Sequence, residues 1–183
     1  MKRRAAFIDR DGVINEDREY VYQVADFHFL AGAIEALRQL QAAGYLLVII
    51  TNQSGIARGF YTEEQYLKLD AYVRGSLSAA GVTIDAVQYC PHLPDAKMAR
   101  YRLDCKCRKP RAGMIREAAR LLAIDTSRSV LIGDRRADIE AGRAGGVGQC
   151  FLVRSGRPLN ESDERLADGV FENLAACVAS LPR

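Results

Sequence analysis

Two carboxylates two positions apart stand directly behind a short apolar run, in Phe7-Ile8-Asp9-Arg10-Asp11-Gly12. Alternate residues of an extended chain share a face, so Asp9 and Asp11 can point into one crevice, with Gly12 free to turn the chain. A carboxylate beside a divalent cation can attack phosphorus, because the cation cancels the repulsion between two anions. A second carboxylate can protonate the leaving oxygen and later deprotonate water. The same D-x-D-G string also occurs as a solvated turn, and by itself it decides nothing.

Three other segments offer what such chemistry lacks. Thr51-Asn52-Gln53-Ser54-Gly55 supplies a hydroxyl, amides and a glycine that lets backbone N–H groups approach an anion. Lys109 supplies a positive charge for a phosphoryl group, and Asp134 and Asp138 supply metal-binding oxygens. A turn, a surface lysine and helix-terminal acids would explain each one singly. Their placement, each at a strand end or helix start, argues against coincidence.

The elements that must position them read as alternating strands and helices, the pattern of a parallel sheet covered by helices. Apolar runs at Ala5 to Ile8, Leu46 to Ile50, Ala86 to Tyr89, Val130 to Ile132 and Gln149 to Val153 are the expected strands, with Val170-Phe171 a short edge. Ile34, Leu37 and Leu40 recur at helical spacing in Ala31 to Ala43, and Gly44 ends that helix. Thr62 with Gln65 forms a capping box for a helix running to about Ala80. Further helices are expected at Ala112 to Leu122, Ala137 to Ala144 and Asn173 to Leu181. Only Pro91 to Arg108 is long and aperiodic, so something other than an apolar core is expected to order it.

The bulk numbers fit one catalytic domain over 1–183: 183 residues, 49% hydrophobic and 27% charged, with a formal net charge of +3. Basic residues are interspersed with acidic ones, which gives no reason to expect nucleic acid or membrane as a partner. Met1-Lys2-Arg3-Arg4 begins like a secretory leader, but Asp9 cuts off the apolar stretch behind it. A cytoplasmic location is expected, and with it five cysteines that bind metal or stay buried as thiols.

Taken together, the segments around Asp9, Thr51, Lys109 and Asp134 resemble the four motifs of the haloacid dehalogenase superfamily over nearly the whole chain. The resemblance implies a Rossmann-like α/β fold, a parallel sheet with helices on both faces. It implies Asp9 as nucleophile, Asp11 as general acid and base, Thr51 as a ligand of the transferring phosphoryl group and Lys109 as its counter-charge. It further implies Mg²⁺ on Asp134, the Asp9 carboxylate and the Asp11 main-chain carbonyl, with Asp138 supporting Lys109 or a metal-bound water.

Cys90-Pro91-His92 and Cys105-Lys106-Cys107 make a C-x-H…C-x-C set, and four soft or borderline ligands in two close pairs suit tetrahedral Zn²⁺. A buried strand thiol and a surface histidine are the plainer explanation, but they leave the tight clustering without a cause. Four protein ligands close the coordination sphere, so the zinc is expected to be structural, ordering the loop 90–108 and anchoring Arg108 and Lys109. Cys150 and Cys177 read as core thiols, and His28 as structural or solvated.

Short intervals between the motifs leave no room for a large cap domain, so an open crevice is expected. Its specificity would lie in Asp17 to Tyr20, Ser54 to Gly59, the zinc loop and Arg154 to Arg157. Capless zinc-loop members of the superfamily resemble two kinds of enzyme. One comprises heptose-bisphosphate phosphatases that remove the 7-phosphate in heptose synthesis for lipopolysaccharide; the other, the alternative, comprises histidinol-phosphate phosphatases. Phe7 to Asn15, Thr51 to Gly59 and Leu152 to Gly156 are similar to the heptose group. That resemblance implies substrate contacts from Arg10, Asp17, Arg18, Glu19, Tyr20, Asn52, Gln53, Ser54 and Arg108, and Arg58 is a further candidate for a second anionic group. A small phosphorylated sugar is the expected partner, and a monomer the expected state. A receiver-type switch fits poorly, because its phosphorylated aspartate follows a middle strand. A zinc ribbon for nucleic acid would need a basic, aromatic-rich face.

Overall fold

Strands buried on both faces read as continuous apolar runs, and here those runs build one sheet. A computed structural model of the chain describes residues 2–182, so Met1 of the basic start lies outside them. The strands are β1 (Ala5–Ile8), β2 (Leu46–Asn52), β3 (Ala86–Cys90), β4 (Val130–Gly133), β5 (Gln149–Val153) and β6 (Gly169–Phe171). They lie in the order β3-β2-β1-β4-β5-β6, and every pair is parallel. Phe7 of β1 stands beside both Val48 of β2 and Leu131 of β4.

Period-two alternation divides the core. Ala6, Ile8, Leu47, Ile49 and Ile132 face α1 (Ala33–Ala42), α3 (Glu63–Ala79) and α7 (Leu174–Ser180), through Leu37, Leu69, Val73 and Leu174. Ala5, Phe7, Val48, Ile50 and Leu131 face α4 (Gly113–Leu121) and α5 (Arg136–Ala144), through Met114, Ile115 and Ile139. The capping box of α3 forms: Thr62 Oγ1 accepts from the Gln65 amide at 3.1 Å, and Gln65 Oε1 accepts from the Thr62 amide at 2.8 Å. Cys150 and Cys177 are buried thiols, and His28 is exposed. No helix among the described residues is long and apolar enough to cross a membrane.

Two elements depart from the sequence reading. Ser54–Arg58 forms a short helix, α2, where a loop was expected; five residues are too few to show a period. The loop after β3 has an apolar anchor that was not expected. Leu93, Ala96 and Tyr101 are buried with Ile56, Ala57, Tyr61 and Tyr66 in a third, smaller core. Irregular spacing hid that core in the sequence. A four-residue helix, α6 (Glu161–Glu164), completes the chain between β5 and β6.

From the central pair β1 and β4 the chain winds toward opposite edges of the sheet. A crevice opens at the carboxyl ends of strands where such an order reverses, and that is where Asp9 and Asp134 emerge.

Candidate active site

Asp9 continues the ladder one step past β1, its amide donating to Ile132 O at 3.0 Å. The chain then turns sharply, and the Arg10 carbonyl accepts from the amides of Ile14 at 2.8 Å and Asn15 at 3.2 Å. Gly12 lies at φ +85°, and a Cβ there would sit 2.6 Å from Asp134 Oδ2; one at Gly156 would sit 2.1 Å from the same oxygen. Two glycines thus let the backbone close around the Asp134 carboxylate.

Lys109 is buried at the centre. Its ammonium lies 2.9 Å from Asp9 Oδ1 and 2.6 Å from Asp138 Oδ1, and donates to Ile50 O at 3.0 Å. Asn52 grips the backbone of Lys109 from both sides, accepting from its amide and donating to its carbonyl, each at 3.1 Å. Asp138 also caps α5, with Oδ2 accepting from the Arg135 amide at 3.0 Å.

Asp9 Oδ1 accepts from the Arg10 amide at 2.8 Å as well as from Lys109, whereas Oδ2 takes no hydrogen bond among the described residues. Asp11 is held by Arg10 at 2.9 Å, by Asn15 at 3.0 Å and by Gln53 at 3.1 Å. Gln53 Nε2 also donates to Thr51 Oγ1 at 2.8 Å, and its Oε1 accepts from the Tyr61 hydroxyl at 2.6 Å.

Burial pushes the Asp9 carboxyl well above the usual carboxylate range, and Lys109 opposes the shift. Asp134 is pushed up to about 6, chiefly by burial and then by Asp138. Burial alone would lower Lys109, but Asp138 and Asp9 hold its ammonium above the ordinary lysine value.

Among the described residues, two groups of side chains could hold metal ions. Asp9, Asp134 and Asp138 each offer an oxygen within 4.8 Å of the others. Asp134 Oδ1 is buried without a hydrogen-bond partner, and Arg135 Nε at 3.6 Å is too far to serve. An orphaned oxygen among buried carboxylates fits a hard divalent cation. Cys90, His92, Cys105 and Cys107 converge in the same way, with the Sγ atoms 3.1 to 3.4 Å apart and His92 Nδ1 3.5 Å from Cys107 Sγ. Three free thiols and an imidazole at such spacing fit one metal ion at their centre.

A cavity of about 160 Å³ beside Asp9 and Lys109 is lined by Asp9, Asp11, Asp17, Glu19, Tyr20, Thr51, Asn52, Gln53, Ser54, Arg108, Lys109 and Asp138, with Asp134 and the Cys/His set outside the lining. Three expected contacts lie elsewhere. Arg10 is buried outside the lining, donating to Asp11 and to the Val21 carbonyl, with its Nη1 left without a partner. Arg18 is exposed and paired with Glu16, and Arg58 is exposed at the end of α2, outside the lining. Tyr61, Arg135, Ala137 and Arg157 line the cavity without having been singled out as site residues. Arg135 directly follows Asp134, and Arg157 ends a loop flagged for specificity, so adjacency was the available signal.

A family model described as HAD-hydrolase-like matches residues 106–177. The chain is 46% identical over 171 residues to D-glycero-beta-D-manno-heptose-1,7-bisphosphate 7-phosphatase of Photorhabdus laumondii, covering 93% of this chain and 91% of that protein. It is 44% identical to the D-glycero-alpha-D-manno-heptose-1,7-bisphosphate 7-phosphatase of the same organism, with 89% of each covered. Among solved structures it is similar to D,D-heptose 1,7-bisphosphate phosphatase from B. bronchiseptica, complexed with magnesium and phosphate. That match has a TM-score of 0.81 and 31% identity, with 96% of each chain covered.

Proposed function

Because the chain belongs to the haloacid-dehalogenase-like hydrolases, within the heptose-bisphosphate phosphatases, we propose that it hydrolyses the 7-phosphate of D-glycero-D-manno-heptose 1,7-bisphosphate through a phospho-aspartate on Asp9. The observation that carries the mechanism is the asymmetry of the Asp9 carboxylate. Lys109 and the Arg10 amide hold Oδ1, and Oδ2 is left for the cavity.

Asp9 Oδ2 attacks phosphorus, and the bond from phosphorus to the C7 oxygen breaks as that oxygen takes a proton from Asp11. Water then attacks phosphorus and gives a proton to Asp11, and the bond to Asp9 breaks, restoring the carboxylate. Lys109 holds its charge beside the nucleophile throughout, and Thr51, at the cavity wall, takes a phosphoryl oxygen. A magnesium ion on Asp9, Asp134 and the Asp11 carbonyl would screen the repulsion between nucleophile and phosphate. Arg108 and Arg135, on the lining, supply charge for the second phosphate.

We assign zinc to Cys90, His92, Cys105 and Cys107, a closed ligand set with a structural role. Cys107 is joined through Arg108 to Lys109, so zinc fixes the chain that carries the buried ammonium. The reading extends to one catalytic domain over 1–183, working as a monomer in the cytoplasm and supplying heptose for lipopolysaccharide.

The test is phosphate release with Mg²⁺ from heptose bisphosphate and histidinol phosphate side by side. Relatives named for either anomer match almost equally, so both anomers belong in the assay. Preference for the bisphosphate is expected. Preference for histidinol phosphate would overturn the substrate and keep the chemistry, and release from neither would overturn the function.

A further inference from the structure

Glu19 and Tyr20 sit consecutively in left-handed backbone, with φ of 56° and 54°. That conformation is unfavourable for residues with a Cβ, and it persists only where the surroundings impose it. Two elements distant in sequence impose it here. From the loop after β5, Arg157 Nε donates to Asp17 Oδ2 at 2.7 Å and Nη1 reaches Glu19 Oε1 at 3.3 Å. From the turn between α2 and α3, Phe60 packs edge-on against the Tyr20 ring, with centroids 4.7 Å apart and planes at 74°.

The corner so held is part of the cavity wall: Asp17, Glu19, Tyr20 and Arg157 all line it. Tyr20 is 40% exposed and Phe60 56% exposed, so their contact is not core packing. The phosphoryl chemistry at Asp9, Lys109 and Asp134 uses neither Phe60 nor the Arg157 guanidinium. Asp17 is nearly buried, its Oδ2 held by Arg135 as well as Arg157 and its Oδ1 by the Glu19 amide, so what the corner presents is the Tyr20 ring beside the exposed Glu19 carboxylate. Such a surface suits a polyol, whose C–H face lies on the ring while its hydroxyls donate to carboxylate oxygens.

We propose that Phe60 and Arg157 are positioning residues for substrate selection, pinning the Glu19–Tyr20 corner against the hydroxylated carbon chain of the ester. This rests on the phosphatase reading above. Phe60 acts through the Tyr20 ring, and Arg157 through Asp17 and Glu19.

The test compares steady-state kinetics on heptose bisphosphate and on acetyl phosphate, a phosphate too small to reach the corner. In Phe60→Ala, KM for the sugar is expected to rise about tenfold with kcat within about twofold, the loss of one rim contact. Acetyl phosphate kinetics should stay at the wild-type level, and Phe60→Tyr should restore the sugar KM. Arg157→Ala should raise the same KM, and Arg157→Lys should recover part of it by keeping a cation on Asp17. Equal effects on both substrates, or an unchanged sugar KM, would overturn the inference while the phosphatase reading stands. A wild-type enzyme that turns over acetyl phosphate but neither anomer of the bisphosphate would overturn that reading, and this inference with it.

Discussion

Lys109 Nζ lies 2.9 Å from Asp9 Oδ1 and 2.6 Å from Asp138 Oδ1, so one buried ammonium bridges a carboxylate just past β1 and one on the first turn of α5. With Ile50 O as third acceptor, each N–H of the ammonium has a partner. The Asp9 carboxylate is thereby fixed in orientation before any substrate arrives.

Lys109→Met should therefore do two kinds of damage. Turnover should fall by about 10² to 10³ or more, as for loss of a pre-placed electrostatic group. Stability should fall by about 3 to 5 kcal/mol, because buried acids lose their partner. Phosphate release and chemical denaturation measure the two effects separately.

The Cys90, His92, Cys105 and Cys107 set is joined to the buried Lys109 through the three residues Cys107-Arg108-Lys109. Cys107→Ser should lower bound zinc well below one per chain and lower kcat/KM together with it. Metal analysis of the purified variant checks the first effect, and full stoichiometric zinc would refute the ligand set.

The Tyr61 hydroxyl fixes which way the Gln53 amide faces, since it donates to Oε1 and leaves Nε2 for Asp11 and Thr51. Tyr61→Phe leaves a buried acceptor without a donor, at about 1 to 3 kcal/mol. The amide can then flip and lose Asp11, so a lower kcat is expected along with a lower melting temperature.

Asp168 carries a pH dependence away from the metal sites. Burial raises its carboxyl, but Arg143 at 2.8 Å and the Cys150 amide at 2.7 Å outweigh it and hold it below its ordinary value. A carboxyl lowered on folding stabilises above its unfolded pKa and loses that contribution as pH falls through the folded one. Asp168→Asn should therefore flatten the fall of melting temperature on acidification below about pH 4, where the unfolded carboxyl begins to protonate.

The strands were legible because both faces of a parallel sheet are buried, which makes Leu46 to Ile50 and Val130 to Ile132 continuous apolar runs too short for a helix and rich in β-branched residues. The placement of Asp9 and Asp134 beside the crevice was legible because strand ends are where such folds place ligands. Arg10 was expected at substrate; it lies off the cavity lining, its guanidinium donating to the Asp11 carboxylate and the Val21 carbonyl near the Tyr66 ring, a pairing that no spacing in the sequence announces. Asn52 was expected at substrate, and besides lining the cavity it clamps the Lys109 backbone across 57 residues of sequence. Arg157 and Tyr61 reach the site only through tertiary folding, since no local pattern ties a residue beyond β5 to a loop after β1.

The most direct test of the central claim is rapid acid quench during turnover of the bisphosphate, borohydride reduction of any acyl phosphate, and peptide mass spectrometry. The account predicts reduction of the carboxyl at position 9, dependent on Mg²⁺ and on substrate. Reduction at another carboxylate, or at none while phosphate is still released, would contradict it.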